Sequence, residues 1–152
     1  MMVIELRPVT AENWYDCTLL KVKPEQQSVF PAPVVNWIAE AKFVQEFELL
    51  AIYSGAVVVG FIVFCTTPDE EGNCWIPALM IDEHHQGQGY ARQAMVKLIQ
   101  HMRNEGCSRL MIGHRPDNRI AGMLYESLGF QKVSEELYDG EVVRCLELNQ
   151  CI

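Results

Sequence analysis

Apolar and polar residues alternate near both ends of the chain, and apolar residues recur at helical spacing between them. Val3 to Arg7 alternates as a first strand. Thr10 is a fitting N-cap for a short helix that begins at Ala11 and ends before Pro24. Pro31 and Pro33 break the chain, and Val34 to Gln45 reads as a second helix with Val34, Ile38 and Ala41 along one side. Glu48 to Tyr53 and the long apolar run Ala56 to Thr66 flank Ser54-Gly55 as a hairpin. A polar turn over residues 68–73 leads into Cys74 to Asp82, which reads as one buried strand. A long helix follows over Arg92 to Glu105, where Ala91, Met95, Leu98, Ile99 and Met102 share a face and Gly106 is a C-cap. Arg109 to Arg115 is the next strand, and Pro116-Asp117-Asn118 starts a helix that carries Ala121, Leu124, Tyr125 and Leu128 on one side. Gly129 stops that helix, and Phe130 to Leu137 and Glu141 to Leu148 flank the Asp139-Gly140 turn. The order β-α-α-β-β-β-α-β-α-β-β predicts an α/β (α+β) fold, a mixed, mostly antiparallel sheet with helices on both faces.

Composition narrows the class. At 152 residues the chain is expected to form a single domain, 1–152, large enough to bury a core without disulfide or metal staples. Apolar runs are far shorter than the 18 or so residues of a membrane span, and the N-terminus lacks the pattern of a signal peptide. A cytoplasmic protein with no membrane partner is therefore expected. A net charge of −8 argues against nucleic acid and is compatible with a cationic substrate. The cysteines at 17, 65, 74, 107, 145 and 151 are scattered without a C-x-x-C pair, so reduced, mostly buried thiols are expected. His84-His85 beside Glu83 has no third ligand at helical spacing, so no metal is expected.

The stretch with most chemistry is Gln86-Gly87-Gln88-Gly89-Tyr90-Ala91, between the Cys74–Asp82 run and the long helix. A small-residue turn at a helix start leaves several N–H groups unpaired near the positive end of the helix dipole, which suits phosphate. A dinucleotide fingerprint would need a small residue where Arg92 stands and a strand opening a parallel sheet, so that alternative loses.

These residues resemble the GNAT-type N-acetyltransferases. Gln86-x-x-Gly89-x-Ala91 matches that superfamily's (Gln/Arg)-x-x-Gly-x-(Gly/Ala) loop for acetyl-CoA. Asn118-x-x-Ala121-x-x-x-Tyr125-x-x-x-Gly129-Phe130 matches its late helix and exit, and the element order covers nearly the whole chain. Within the superfamily the chain is similar to bacterial spermine/spermidine (diamine) N-acetyltransferases. The stretches that carry this are Gln27-x-x-Phe30 with Ala39-Glu40-Ala41, Trp75-Ile76, Met80-Ile81-Asp82 and Asp139-Gly140-Glu141. The polyamine enzymes often carry an acidic-basic pair where this chain has Pro77-Ala78.

The resemblance implies direct transfer of acetyl from acetyl-CoA to a primary amine, with polyamines or diamines as the leading acceptors. Acetylation of another amine (a protein N-terminus, an amino acid or an antibiotic) and an idle CoA-binding module remain open. It implies that the Leu79–Asp82 strand splays from the Arg109–Arg115 strand, with Met80 and Ile81 bonding the pantetheine arm through their backbones. The N–H groups from Gln86 to Ala91 (Gln86, Gly87, Gln88, Gly89, Tyr90, Ala91) are expected at the pyrophosphate, with charge from Arg92 and a contact from Asn118. Tyr125 stands at the general-acid position, since a phenol near pKa ~10 can protonate a thiolate near ~8.5. An alkylammonium near pKa ~10.4 costs about 4–5 kcal/mol to deprotonate at neutral pH, so a base is needed. Asp82, Glu40, Glu83 and His114 are the candidates. Glu40 and Trp75 are expected to border the acceptor. The apolar C-terminal strands offer an edge along which two copies can pair as a homodimer.

Overall fold

The computed structural model describes residues 3–28, 30 and 32–148. Pro31 and Cys151, both singled out from sequence, lie outside them. The elements are β1 (Ile4–Pro8), α1 (Trp14–Thr18), α2 (Val34–Ala41), β2 (Glu48–Ser54), β3 (Val57–Phe64), β4 (Cys74–Ile76) and β5 (Ala78–Ile81). They continue with α3 (Tyr90–Asn104), β6 (Arg109–His114), α4 (Arg119–Ser127), β7 (Gln131–Lys132) and β8 (Val142–Glu147). Strands β1-β2-β3-β5 form an antiparallel sheet, and β4-β6-β8-β7 form a second in which only the β4–β6 pair is parallel.

The run from Cys74 to Asp82, expected as one strand, is two. β4 runs parallel to β6 as far as Ile76↔Ile112, and β5 runs antiparallel to β3 from Val63↔Ala78 to Gly60↔Ile81. Pro77 lies between them without an N–H to give to either ladder, so the chain leaves one strand pairing and joins the other there. The Cys65 N–H still donates to the Trp75 carbonyl at 2.9 Å, which keeps β4 beside the end of β3. Beyond Pro77, β5 and β6 are not paired, and a wedge opens between their ends.

Period-2 alternation divides the core between the two faces of the sheet. Ile52, Ile62 and Phe64 pack with Met95, Leu98 and Met102 of α3 and with Tyr125 of α4. Ala51, Tyr53, Phe61, Val63 and Met80 pack on the other face with Cys17, Leu20 and Val34 from the α1–α2 region. This is the mixed, mostly antiparallel sheet with helices on both faces that the residue pattern predicts.

Other boundaries moved. The first helix begins at Trp14, not Ala11, because Thr10 builds a turn: its N–H donates to Asn13 Oδ1 at 2.7 Å and its hydroxyl accepts the Glu12 N–H at 3.2 Å. The second helix ends at Ala41 rather than Gln45. The late hairpin closes at Asp139-Gly140, with φ of 53° and 81° and reciprocal bonds between Tyr138 and Glu141. Its first strand is far shorter than Phe130–Leu137, with only Gln131 and Lys132 laddered to β8.

Cysteines 17, 65, 74, 107 and 145 are free thiols, all buried except the half-buried Cys145. No helix among the described residues is long and apolar enough to cross a membrane, and no three His, Cys, Asp or Glu among them form a metal-holding group.

Candidate active site

Between β5 and α3 the chain is held by side chains that bind backbone. Asp82 accepts the Lys21 N–H at 2.9 Å and the His84 N–H at 3.2 Å, which ties the loop to the segment after α1 and caps a short turn over Glu83–His85. The Gln86 amide donates to the Ile81 carbonyl at 2.9 Å and pairs reciprocally with the Gln26 amide at 2.8 and 3.0 Å. Gly87 and Gly89 then adopt φ of 79° and 82°, a left-handed conformation that strains any residue with a Cβ. Tyr90 turns inward, buried, with its hydroxyl 3.2 Å from Ser54 Oγ, and fixes where α3 starts.

That start has no side-chain cap. The first backbone bond into the helix from its N-cap is Gln93 N–H to the Gly89 carbonyl, so the amides of Tyr90, Ala91 and Arg92 precede it and face outward at the positive end of a 15-residue helix. They open onto a cleft of about 530 Å³ bounded by β5, the Gln86–Gly89 loop, α4 and the residues Val22, Lys23, Gln26 and Phe30. Lys23, His85 and Arg92 line it and no acidic side chain does, although the chain as a whole is strongly acidic. Lys23 and Arg92 thus face a cleft that holds no opposing carboxylate.

The β5 edge forms one wall. The Asp82 N–H donates to the Val59 carbonyl at 2.8 Å, which sets the antiparallel alternation and directs the backbone groups of Met80 toward Phe61. Leu79 and Ile81 therefore turn their N–H and C=O groups toward the wedge, and the Ile81 carbonyl is taken by Gln86. For Met80 this corrects the sequence expectation: its backbone is bonded to β3 and its side chain packs with the α1–α2 face, while Leu79, passed over in the sequence, presents backbone.

Tyr125 lies at the α4 wall, buried, its ring 6.0 Å from that of His114 and 6.1 Å from that of Phe130. Its hydroxyl has no hydrogen-bond partner among the described residues. Burial, and then the charge of Glu141, push its pKa well above the ordinary phenol value, so it stands as a protonated donor. Asn118 caps α4, accepting the Ala121 N–H at 3.3 Å, and also lines the cleft. Arg92 donates to Ser127 Oγ at 2.6 Å across to α4 while remaining exposed.

The other expected residues are not brought into the cleft. Gln88 is exposed at the loop tip. Both Asp82 oxygens are committed to backbone N–H groups, which makes it an anchor rather than a base. His114 is buried with Nε2 accepting from Arg144 Nε at 3.0 Å, so its proton sits on Nδ1 and goes to the Arg115 carbonyl at 2.9 Å. Neither nitrogen is free for an incoming amine. Glu40 is exposed on α2, and Glu83 pairs with His84 at 3.8 Å. Trp75 donates from Nε1 to Asp69 at 2.9 Å, and that bond is the largest cause holding the Asp69 carboxyl below the usual carboxylate range. Lining residues not read from sequence include Val22, Lys23, Gln26, Phe30, His85 and Ile120.

A strand edge freed by a splay, an uncapped helix start behind left-handed glycines, and a buried tyrosine on the facing helix are the geometry of one acyltransferase fold. The Acetyltransferase (GNAT) family model matches residues 10–130. The chain belongs to the GNAT family. It is an acetyl-CoA-dependent N-acetyltransferase. It is 29% identical over 153 residues to the spermine/spermidine N(1)-acetyltransferase of Bacillus subtilis (strain 168), an alignment that spans 97% of this chain and 100% of that protein. Among solved structures, an acetyltransferase from Thermus thermophilus superposes with a TM-score of 0.80 at 20% identity, over 97% of this chain and 100% of its own. An acetyltransferase from Bacillus subtilis in complex with CoA gives 0.70 at 18% identity, over 97% and 99%. At those identities the superpositions speak for the GNAT fold.

Proposed function

We propose that this GNAT enzyme acetylates a primary amine of a polyamine, spermidine or spermine, by direct transfer from acetyl-CoA, with Tyr125 protonating the departing thiolate. The observation that carries the reading is the pairing, in one cleft, of an anion cradle at the start of α3 with a buried, unpartnered tyrosine hydroxyl on α4. The chain's own groups fit acetyl-CoA. The amides of Tyr90, Ala91 and Arg92, with the Lys23 ammonium in the same cleft, suit a pyrophosphate. The outward backbone groups of Leu79 and Ile81 suit an amide-bearing arm that adds to a strand edge. Bound there, acetyl-CoA supplies an activated thioester carbonyl.

The raised pKa of Tyr125 keeps its proton on at every physiological pH, and an apolar wall of Leu124 and Ala121 keeps water from competing for the sulfur. No cysteine lines the cleft, and burial raises the thiols of Cys17 and Cys65 to about 11 and of Cys107 to about 12. Thiols held protonated are poor nucleophiles, which favours attack by the amine itself over an acetylated enzyme. The polyamine assignment draws on the full-length Bacillus relative and on the negative charge of the molecule outside the cleft. Pro77-Ala78, where polyamine enzymes often carry charge, is accounted for by the strand switch.

The test is acetyl-CoA consumption read as free-thiol release across spermidine, spermine, putrescine, short peptides, amino acids and aminoglycosides. Saturable turnover with spermidine or spermine, at the highest kcat/KM of the panel, is expected. A preference for a peptide, an amino acid or an aminoglycoside would sink the polyamine assignment.

A further inference from the structure

Deprotonation of the acceptor needs a carboxylate or its equivalent, and none of the acids expected from sequence reaches the wedge. A different acid lies over the end of β6, the strand that borders the wedge. Gly113, next to the last residue of β6, pairs with Val143 of β8. Glu141 lies two residues before Val143, hence on the same face and diagonal to Gly113, within the span of a long side chain. A side chain at 113 would overlap Glu141 Oε1: the carboxylate fills the space that the glycine leaves. The tight turn at Asp139-Gly140 fixes where that carboxylate starts, with the Tyr138 N–H donating to the Glu141 carbonyl at 2.8 Å and the return bond at 3.0 Å.

This is the face of β6 away from α4. Leu110, Ile112 and His114 point toward α3 and α4, so Met111 and position 113 face the opposite side. Glu141 is half-buried, and its carboxylate has neither a hydrogen bond nor an ion pair among the described residues. The cations nearest the turn are otherwise placed: Arg144 is bonded to His114 on the α4 face, and Arg115 approaches the turn at Gly140 without pairing with Glu141. The negative charge of Glu141 nonetheless adds to the effect of burial in raising the Tyr125 pKa, with the end of β6 between the two groups.

We propose that Glu141 is the acceptor subsite: its carboxylate receives the ammonium of the amine substrate, opposite α4, and takes its proton. The inference rests on the acetyl-transfer reading above. The ammonium gives one proton to Glu141, and the freed nitrogen lone pair forms a bond to the thioester carbonyl carbon. The C–S bond breaks with its electron pair on sulfur, which takes the Tyr125 proton. The second proton lost from nitrogen restores Tyr125, and Glu141 releases the first to solvent. The products are the N-acetyl amine, free CoA and one proton.

The test is Glu141→Gln, which keeps the shape and removes the charge. Spermidine binding to the CoA-loaded protein is followed by calorimetry, and kcat/KM is followed for each amine of the panel. Glu141→Gln is expected to abolish measurable spermidine binding and to lower kcat/KM for the preferred amine about 100-fold, with the KM for acetyl-CoA within twofold of the parent. Gly113→Ala, which displaces the carboxylate, is expected to give the same split. Equal kcat/KM in Glu141→Gln and parent overturns the proposal, as does a parent that binds no amine. If the parent prefers a non-polyamine and Glu141→Gln loses that activity, the subsite stands and the polyamine assignment falls. If the parent acetylates spermidine and Glu141→Gln matches it, the reverse holds.

Discussion

Behind one face of the sheet, α3 buries Met95, Leu98 and Met102 completely against Ile52, Ile62 and Phe64. On the other face α1 buries only Cys17 and α2 only Val34, while Trp14, Tyr15, Leu19 and Phe43 remain largely exposed. The thick side carries the cradle and Tyr125, and the thin side supplies Val22, Lys23, Gln26 and Phe30 to the same cleft. Local opening is governed by how much apolar surface each segment buries. The difference implies a half around the start of α3 that is held by backbone and a deep core, set against a thinner half between α1 and α2 that opens more readily.

The comparison is most exposed to mutation in the two cores. Leu98→Ala is expected to cost about 3 kcal/mol by urea denaturation, while Val34→Ala costs about 1 kcal/mol, because the smaller side chain sits in a thinner layer. Equal costs would remove the contrast. Next comes Tyr125→Phe, expected to lower kcat about 100-fold with CoA affinity unchanged, since only the proton donor is lost. Gly89→Ala introduces a Cβ at φ +82°, where strain alone is about 1–2 kcal/mol. Steady-state kinetics should show the KM for acetyl-CoA rising about tenfold, because the amides at the start of α3 are re-aimed. Arg92→Ala, at an exposed side chain already bonded to Ser127, should raise that KM only about threefold, an effect that shrinks as salt is added.

The buried thiols make a prediction in alkali. Burial raises Cys17 and Cys65 from 9.0 to about 11 and Cys107 to about 12. Well below pH 9 these thiols are protonated in both folded and unfolded chains and contribute no pH dependence. From pH 9 upward the unfolded chain sheds protons that the folded chain retains, so stability falls as pH rises through about 11. Urea midpoints at pH 8, 9.5 and 10.5 check this, with serine variants at 17 and 65 expected to flatten the decline.

Much of the thick side was legible because its signals are local. The 3.6-residue period over α3, the glycines of the loop and the Asn118 cap each declare themselves within a few residues. Where the reading failed, the deciding partner was remote. Cys74 to Asp82 is apolar throughout, and only the pairing of Ile76 with Ile112 and of Ala78 with Val63 reveals two strands, although Pro77 was a readable warning. Asp82 and His114 looked like bases because a sequence does not print the Lys21 amide or the Arg144 guanidinium that occupies each. Glu141 was read from sequence as part of the Asp139-Gly140-Glu141 resemblance but given no role, since its significance lies in the missing side chain of Gly113, 28 positions earlier and one strand away. Lys23, Gln26 and Phe30 reach the cleft from a segment with little regular structure, where no periodicity marks a face.

The central claim is that acetyl passes directly from acetyl-CoA on the α3–α4 side to an amine arriving from the other. Initial rates measured while acetyl-CoA and spermidine are varied together test it most directly. Direct transfer predicts double-reciprocal lines that intersect, because both substrates must be present before any product leaves. Parallel lines, with CoA released before the amine binds, would mean an acetylated enzyme and would contradict the account.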